Sequence, residues 1–463
     1  MYRVSVAVLA AALLASGASR SDAQAAYPLK VSANHRYLVD QNNAPFLIVG
    51  DTPQDLMGRL TEEEADRFFS NRQAHGFNAL GWVDVACAGK DSPDNKNAST
   101  IDGLIPFNGF VSGGNDYEHY DLSKPNEMCF SRLDHIVQLA AKHGLLIFLA
   151  PMETNGWLPT LHNNGLDAAF QFGQYLGNRY KKYANVAWLS GNDFVTWKDP
   201  KDDALEQAVA KGIRSTAPAQ LQTVELNYET SSSLDDPTWA PIIDLNATYT
   251  YSSTYIQMLH SYNQSPIVPT FLVEAHYDNE NVGHPPDYGT PLVLRREEYW
   301  TMLTGGVGQF YGNFYTWSFS SGWEHYIDTW GVHQITIWKE FFSSLPWHEL
   351  VPDQEHKVLT NGIGSFGDLT TRVSHSDYAT AASTPDGSTV VVYVPTARTV
   401  TINAATLHGP ASARWFDPSN GSYRQVEGGP IANTGSHQLT TPGKNHDGEE
   451  DWVLVLQTHG GAQ

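Results

Sequence analysis

The 463-residue sequence predicts a (β/α)8 TIM barrel followed by a C-terminal all-β sandwich. Three observations carry that prediction. Between residues 44 and 346, eight short apolar runs alternate with amphipathic helical patterns, the signature of repeated β/α units. Two helix-to-strand joints, AHGFNAL and KHGLLIF, use one device, a left-handed glycine that turns a helix end straight into a parallel strand. After Pro346 the helical period stops, and β-rich runs separated by Pro, Gly, Asn and Asp clusters take over.

Along the chain, residues 1–25 read as a cleaved export signal. Arg3 supplies a positive start, Val4 to Gly17 is apolar and small, and Ala23-Gln24-Ala25 has the small-x-small cleavage pattern. About 14 apolar residues fall short of the ~20 that span a bilayer. A secreted or periplasmic location follows as an expectation. PFLIVGDT (45–52) is the first strand, and Thr61 with Glu64 forms a capping box for a helix that stops at Gly76. FNALGWVDV (77–85) is the second strand. A helix from Ser131 to Gly144 leads into strand LLIFLAP (145–151), and a helix over 167–184 into VAWLS (186–190). A helix over 203–214 precedes strand LQTVEL (221–226). Strands IIDLNATYT (242–250) and PTFLVEAHY (269–277), a helix over 292–304, strand GQFYGNF (308–314) and a helix over 335–345 complete the series. A doubly wound sheet would carry a Gly-rich phosphate loop after its first strand; Gly50-Asp51-Thr52-Pro53 stands there instead. STVVVYVP, TVTINA, SARWFDP and DWVLVLQ build the sandwich. The expected partition is a signal at 1–25, a catalytic barrel at 26–352 and a sandwich at 353–463.

Composition narrows the function. With 50 acidic residues against 28 Lys and Arg, the formal charge is −22, and loss of Arg3, Arg20 and Asp22 with the signal makes it one unit more negative. Nucleic acid and anionic membranes are poor partners for such a surface. Thirteen Trp, 22 Tyr and 19 Phe suit an aromatic-lined site. Cys87 and Cys129, the two cysteines of the sequence, suggest a disulfide in an oxidising compartment, clamping a Gly/Asn/Asp-rich insertion that lacks a core of its own; two buried free thiols are the alternative.

In a barrel, polar residues just past the strand ends are candidate catalysts. Asp51, Asp84, Glu153, Asp193, Glu225 and Glu274 occupy such positions. Glycoside hydrolysis needs two facing carboxyls, one to protonate the leaving oxygen and one to attack the anomeric carbon. Strands four and seven lie across the barrel from each other, so Asp193 and Glu274 form the expected catalytic pair. A raised pKa on Asp193 is expected of the acid. The plainer readings are a turn-capping role for Asp193 and an ion pair between Glu274 and Arg295 or Arg296. Trp82, Asp84, Tyr249 and His276, near the ends of strands two, six and seven, are candidate substrate-binding residues. The aromatics of 310–330, from Phe310 through Trp317 to Trp330, suit sugar faces as well as core.

The run RYLVDQNNAPFLIVGDT, SGND after strand four, FLVEAHYD at strand seven, REEYWTMLTGGVGQFYGNFYTW at strand eight, LPWHELVPD, and ATAASTPDGSTVVVYVP with ARWFDPSNG and DWVLVL together resemble the apiosidase-like glycoside hydrolases. The resemblance covers nearly all of the chain after the signal. It implies a (β/α)8 catalytic domain followed by a β-sandwich often labelled collagen-binding. It further implies that Asp193 is the general acid/base, that Glu274 is the nucleophile, and that Asp51, Tyr277, Tyr311 and Trp317 line the sugar pocket. The chain departs from the family pattern at Pro53-Gln54, where a Trp is usual. It departs again at Glu225-Leu226 in place of His-Pro, and at Gln309-Phe310-Tyr311-Gly312 in place of His-Thr-Tyr-Gly.

The function expected is therefore a secreted, retaining glycoside hydrolase acting on plant or microbial polysaccharide, monomeric and without metal or organic cofactor. The competing reading is a catalytically silent matrix- or glycan-binding protein that docks through the sandwich. A metal hydrolase is disfavoured by the absence of HExxH, and a serine hydrolase by the absence of GxSxG.

Overall fold

The structure is a computed structural model that describes residues 24–85, 96–227, 230–280 and 287–458. The predicted signal (residues 1–23 of it) and Cys87 lie outside those residues. Eight parallel strands form the barrel: β1 Ile48–Asp51, β2 Ala79–Asp84, β3 Leu146–Ala150, β4 Val186–Ser190, β5 Gln222–Val224, β6 Asn246–Thr250, β7 Thr270–Glu274 and β8 Gly306–Tyr311. They run in the order β5-β4-β3-β2-β1-β8-β7-β6, with a short antiparallel strand, Thr230–Ser232, on the outer edge of β6. No regular ladder joins β5 to β6. The seam closes through Asp244 N–H donating to Gln222 O (2.8 Å) and through the Ser233 hydroxyl, which donates to Val224 O (2.5 Å) and accepts from Ala247 N–H (2.8 Å).

Among the described residues, a four-residue helix, Leu56–Arg59, and seven longer ones surround the sheet: α1 Glu62–Ala74, α2 Glu127–Lys142, α3 Thr154–Tyr180, α4 Pro200–Thr216, α5 Thr254–Asn263, α6 Pro291–Leu303 and α7 Trp330–Ser343. The Thr61/Glu64 capping box forms, and Gly76 and Gly144 take φ of 79° and 73°, so both helix-to-strand joints turn as the sequence requires. Four helices differ from expectation. α2 starts at Glu127, capped by Asn126, rather than at Ser131, and α7 starts at Trp330, capped by Thr329, rather than at 335. α3 starts at Thr154 rather than 167, because a first helical segment is fused to the second across non-helical Gly165. α5 follows β6 directly in a stretch read as connection. The insertion also differs: its described part buries Phe107, Tyr120 and Leu122 against Trp157, Phe130 and Phe172, so it contributes apolar core of its own. Cys129 is buried on α2.

Aromatic rings fill the barrel. Phe310 packs edge-on against Phe148, Phe271 and Trp82 at 5.3, 5.2 and 5.7 Å between centroids. Gly50 and Gly81 make room for it, since a Cβ on either would lie 2.1 or 2.5 Å from the ring. Three two-residue strands at 30–46 lie ahead of β1, and Leu29, Leu38 and Phe46 join the barrel core.

The C-terminal part begins at β9 Val351–Pro352 and continues through β10 Leu359–Asn361, β11 Thr380–Ser383, β12 Thr389–Val394, β13 Thr399–Asn403, β14 Ala411–Phe416, β15 Tyr423–Gln425, β16 Ser436–Thr440 and β17 Trp452–Thr458. A six-stranded sheet, β9-β11-β12-β17-β14-β15, faces a three-stranded one, β10-β13-β16. The middle of the larger sheet, β12 and β17, is buried on both faces. Val390, Val392 and Val394 enter the sandwich core, whereas Val391 and Tyr393 join the barrel core beside α6 and α7. Period-two alternation then reads as an uninterrupted apolar run. Arg295 of α6 crosses the interface to Asp451 with a two-pronged pair at 2.7 and 2.9 Å. Arg296 donates to the carbonyls of Val373, Ser374, Ser376 and Pro395. Neither arginine serves Glu274, which removes the plain ion-pair reading of that carboxylate.

Candidate active site

The site forms at the C-terminal ends of the strands. Gly191, Asn192 and Asp193, directly after β4, all take left-handed φ values of 94°, 76° and 46°. A Cβ on Gly191 would lie 1.8 Å from Glu225 O, so glycine is required there. Asn and Asp are the side chains best able to follow it in this region. The strained turn is clamped from three sides. The Thr154 hydroxyl donates to the carbonyls of Gly191 (3.0 Å) and Asn192 (2.8 Å), Gly191 N–H donates to Glu206 Oε1 (3.2 Å), and Asp193 N–H donates to Glu225 Oε1 (2.9 Å).

Across the mouth, β7 ends on Glu274. The Tyr249 hydroxyl, from β6, lies 3.1 Å from Asp193 Oδ1 and 3.2 Å from Glu274 Oε1. A phenol has one proton to give. It donates to one carboxylate and accepts from the other carboxyl when that one is protonated, so the bridge suits a pair sharing a proton. Tyr251, two residues on and on the same face, brings its hydroxyl to 3.5 Å from Glu274 Oε1. Burial, with Asp193 and Glu280 as negative neighbours, pushes Glu274 well above the usual carboxylate range against the hydrogen bonds of Tyr249 and Tyr277. Burial followed by the charges of Glu274 and Asp193 does the same to Glu225. Glu274 and its neighbour Glu225 are thus both pushed upward, each by burial first and by the surrounding negative charges second.

Gln54, just past β1, ties the two sides together. Its Nε2 donates to the Tyr277 hydroxyl (3.0 Å) and its Oε1 accepts from Asn192 Nδ2 (3.4 Å). Trp317 lies alongside, its carbonyl accepting from Asp55 N–H (3.0 Å). His276 is buried, its Nδ1 2.6 Å from Glu297 Oε1, and its ring meets Tyr251 edge-on at 5.0 Å. It supports the tyrosine that touches Glu274.

The structure therefore brings Asp193, Glu274, Tyr249 and Tyr277 together, with His276 behind them. Other candidates face elsewhere. Asp51 is fully buried and accepts from Arg72 Nε and Thr52 N–H. Tyr311 is buried too, donating to Asp278 Oδ2 (2.6 Å). Trp82 sits at a bulge in β2, with φ of 47°, and is turned into the barrel core. Asp84 is buried at the end of β2, level with Ala150. Sequence reasoning did not single out Tyr251 or Asn192 for the pocket, and it met Gln54 only as a departure from the family pattern. The alternation Tyr249-Thr250-Tyr251 at a strand end was the available signal for Tyr251.

Similarity to known proteins agrees with this arrangement. A family model described as "Apiosidase-like, catalytic domain" matches residues 32–349, and one described as "Putative collagen-binding domain of a collagenase" matches residues 369–457. No curated protein matches. Among solved structures, one named a glycoside hydrolase aligns with a TM-score of 0.77 at 22% identity, covering 94% of this chain and 98% of its own. A glycoside hydrolase family 5 structure from Bacteroides vulgatus ATCC 8482 aligns with a TM-score of 0.77 at 20% identity, over 94% and 95% of the two chains. Identities this low speak for the fold, and the family match speaks for the chemistry. A barrel with two carboxylates bridged at its mouth, matched by that model over most of its length, belongs to the apiosidase-like family of glycoside hydrolases, and the chain is a glycosidase.

Proposed function

We propose that the chain is an exported, retaining glycosidase that cleaves a neutral glycosidic bond in plant or microbial polysaccharide, with Asp193 as general acid/base and Glu274 as nucleophile. The observation that carries the proposal is the shared Tyr249 hydroxyl. Legs of 3.1 and 3.2 Å bring one oxygen of each carboxyl to the same hydroxyl, a spacing that admits the ~5–5.5 Å of retaining carboxyl pairs.

In the first step Glu274 attacks the anomeric carbon, the bond to the leaving oxygen breaks, and Asp193 gives that oxygen its proton. A glycosyl ester on Glu274 results. In the second step water attacks the anomeric carbon, Asp193 takes the water's proton, and Glu274 leaves as carboxylate. Tyr249 hydrogen-bonds the carboxylate form of Glu274 that the attack requires. Glu225 Oε1 holds the Asp193 N–H and so fixes the turn that carries the acid/base.

Export is inferred from the predicted signal, and a Cys87–Cys129 bridge goes with it; non-reducing peptide mapping tests the bridge by finding the two peptides linked or separate. Proton NMR of the first-formed product, on whichever glycan of a plant and bacterial panel is cleaved, tests the mechanism. The anomeric configuration should be that of the substrate, and inversion would refute the retaining assignment.

A further inference from the structure

Outside the catalytic mouth, a groove of about 680 Å3 runs along the outer face of α5 where the barrel meets the sandwich. From the geometry of this groove we infer a second carbohydrate-binding site, one that holds a stretch of neutral glycan beside the catalytic cleft. The inference uses the chain's standing as a glycosidase but does not depend on which carboxylates act.

Phe366, from the loop between β10 and β11, is 55% exposed, yet its ring is not loose. Tyr255 and Tyr378 hold it edge-on at 5.2 and 5.0 Å. A large apolar ring kept exposed and rigid is a ready platform for the C–H face of a sugar, because little side-chain freedom is left to lose on binding. The groove carries no Asp, Glu, Lys or Arg in its lining, in a protein with a formal charge of −22. Its polar groups are amides and imidazoles, and the imidazole of His260 lies 2.7 Å from Asp235 Oδ1. Asn263 Nδ2 donates to Gln354 Oε1 (2.7 Å) across the junction, and Gln354 Nε2 donates back to Asn263 Oδ1 (3.3 Å). Each Gln354 amide atom keeps hydrogen-bonding capacity beyond that exchange. His356 stands beside Tyr378 at 6.3 Å, in a turn whose left-handed φ of 52° is held by His356 N–H donating to Asp353 O (3.1 Å).

The groove also adjoins the mouth. The loop that carries Phe366 continues to Leu369, whose carbonyl accepts from the Ser252 hydroxyl, and to Thr371, whose carbonyl accepts from Ser253 N–H (3.4 Å). Ser252 follows Tyr251, which touches Glu274. A polymer lying on Phe366 would thus lead toward the catalytic carboxylates. A proline-rich helix is a poorer fit. Grooves for such helices use aromatic walls, whereas one aromatic ring is exposed here.

Native affinity electrophoresis of the full chain tests the inference, with gels containing arabinan, arabinogalactan, xylan or β-glucan. Glu274→Gln, which blocks turnover, should be retarded by at least one of these polymers. Adding Phe366→Ser should weaken that retardation by about tenfold or more, the effect of losing a binding hot spot. Phe366→Ser alone should keep the wild-type melting temperature and its activity on a small chromogenic glycoside. No retardation by any neutral polymer would overturn the inference, as would unchanged retardation after Phe366→Ser. Retardation by a Gly-Pro-Hyp collagen peptide in place of the glycans would also overturn it. Hydrolysis without retardation leaves the proposed catalysis standing while the groove assignment falls; retardation without hydrolysis does the reverse.

Discussion

Gln54 shows how much one side chain can organise. It spans from Tyr277, which hydrogen-bonds the β7 carboxylate, to Asn192, next to the β4 carboxylate. Gln54→Leu keeps the bulk and removes both bonds. We predict a kcat lowered by about tenfold with the fold intact, since a net hydrogen bond contributes about 1 kcal/mol; an unchanged kcat would mean that the amide is a bystander. Glu206 makes a second residue-scale prediction. Buried beneath the Asp193 turn, its carboxyl is pushed up to about 8, by desolvation first, with Gly191 N–H acting in the opposite direction. A carboxyl whose folded pKa lies above its unfolded value contributes stability that is complete below about 4.5 and is lost as pH rises toward 8. The melting temperature should therefore fall between pH 5 and 8, and Glu206→Gln should flatten that slope. A slope equally steep in the variant would contradict the assignment. That Asp193 and Glu274 meet was legible at this scale because strands four and seven end on them and stand across the barrel from each other, where one hydroxyl reaches both. The support around them was not, because whether Asp51 faces a sugar or Arg72 depends on long-range packing that no local pattern encodes.

Elements were legible where a local device marks them. The Thr61/Glu64 box and the glycines at 76 and 144 fix helix ends without help from the rest of the chain. VAWLS stands out because a strand buried on both faces is an unbroken apolar run. α5 left no such mark: TYIQMLHSYN has no side-chain cap, and β-branched and aromatic residues weaken its propensity. Its helix depends on Tyr255 and Met258 packing into the fold. The barrel interior makes a prediction at this scale. Gly50 of β1 and Gly81 of β2 flank the Phe310 ring, so Gly50→Ala should destabilise the barrel by about 1–3 kcal/mol through overpacking. Phe310→Leu added to Gly50→Ala should recover part of that loss in urea unfolding. Additive losses in the double variant would show that the two sites are not in contact.

At the scale of the molecule, the sandwich is fastened to the barrel. The middle strands of its larger sheet, β12 and β17, are buried on both faces, and Arg295 and Asp451 form a buried pair at the junction, joined by Tyr393 (3.1 Å) and Asn445 (2.8 Å). Burial opposes ionisation of Asp451, yet Arg295 beside it holds the carboxyl below its ordinary pKa. Arg295→Met should cost about 3–5 kcal/mol by stranding that charge, and Arg295→Met with Asp451→Leu should cost less than Arg295→Met alone. Equal unfolding free energies for wild type and Arg295→Met would refute the fastening. This intimacy was half legible: the Val run announced a buried strand, but nothing local announced that its second face belongs to the barrel.

The central claim is that Asp193 and Glu274 share one reaction, and kinetics of Asp193→Asn and Glu274→Gln on the glycan that the wild type cleaves test it most directly. Each variant should lose about 10²–10⁴-fold in kcat while keeping the wild-type melting profile within a few degrees. Wild-type turnover in either folded variant would contradict the account.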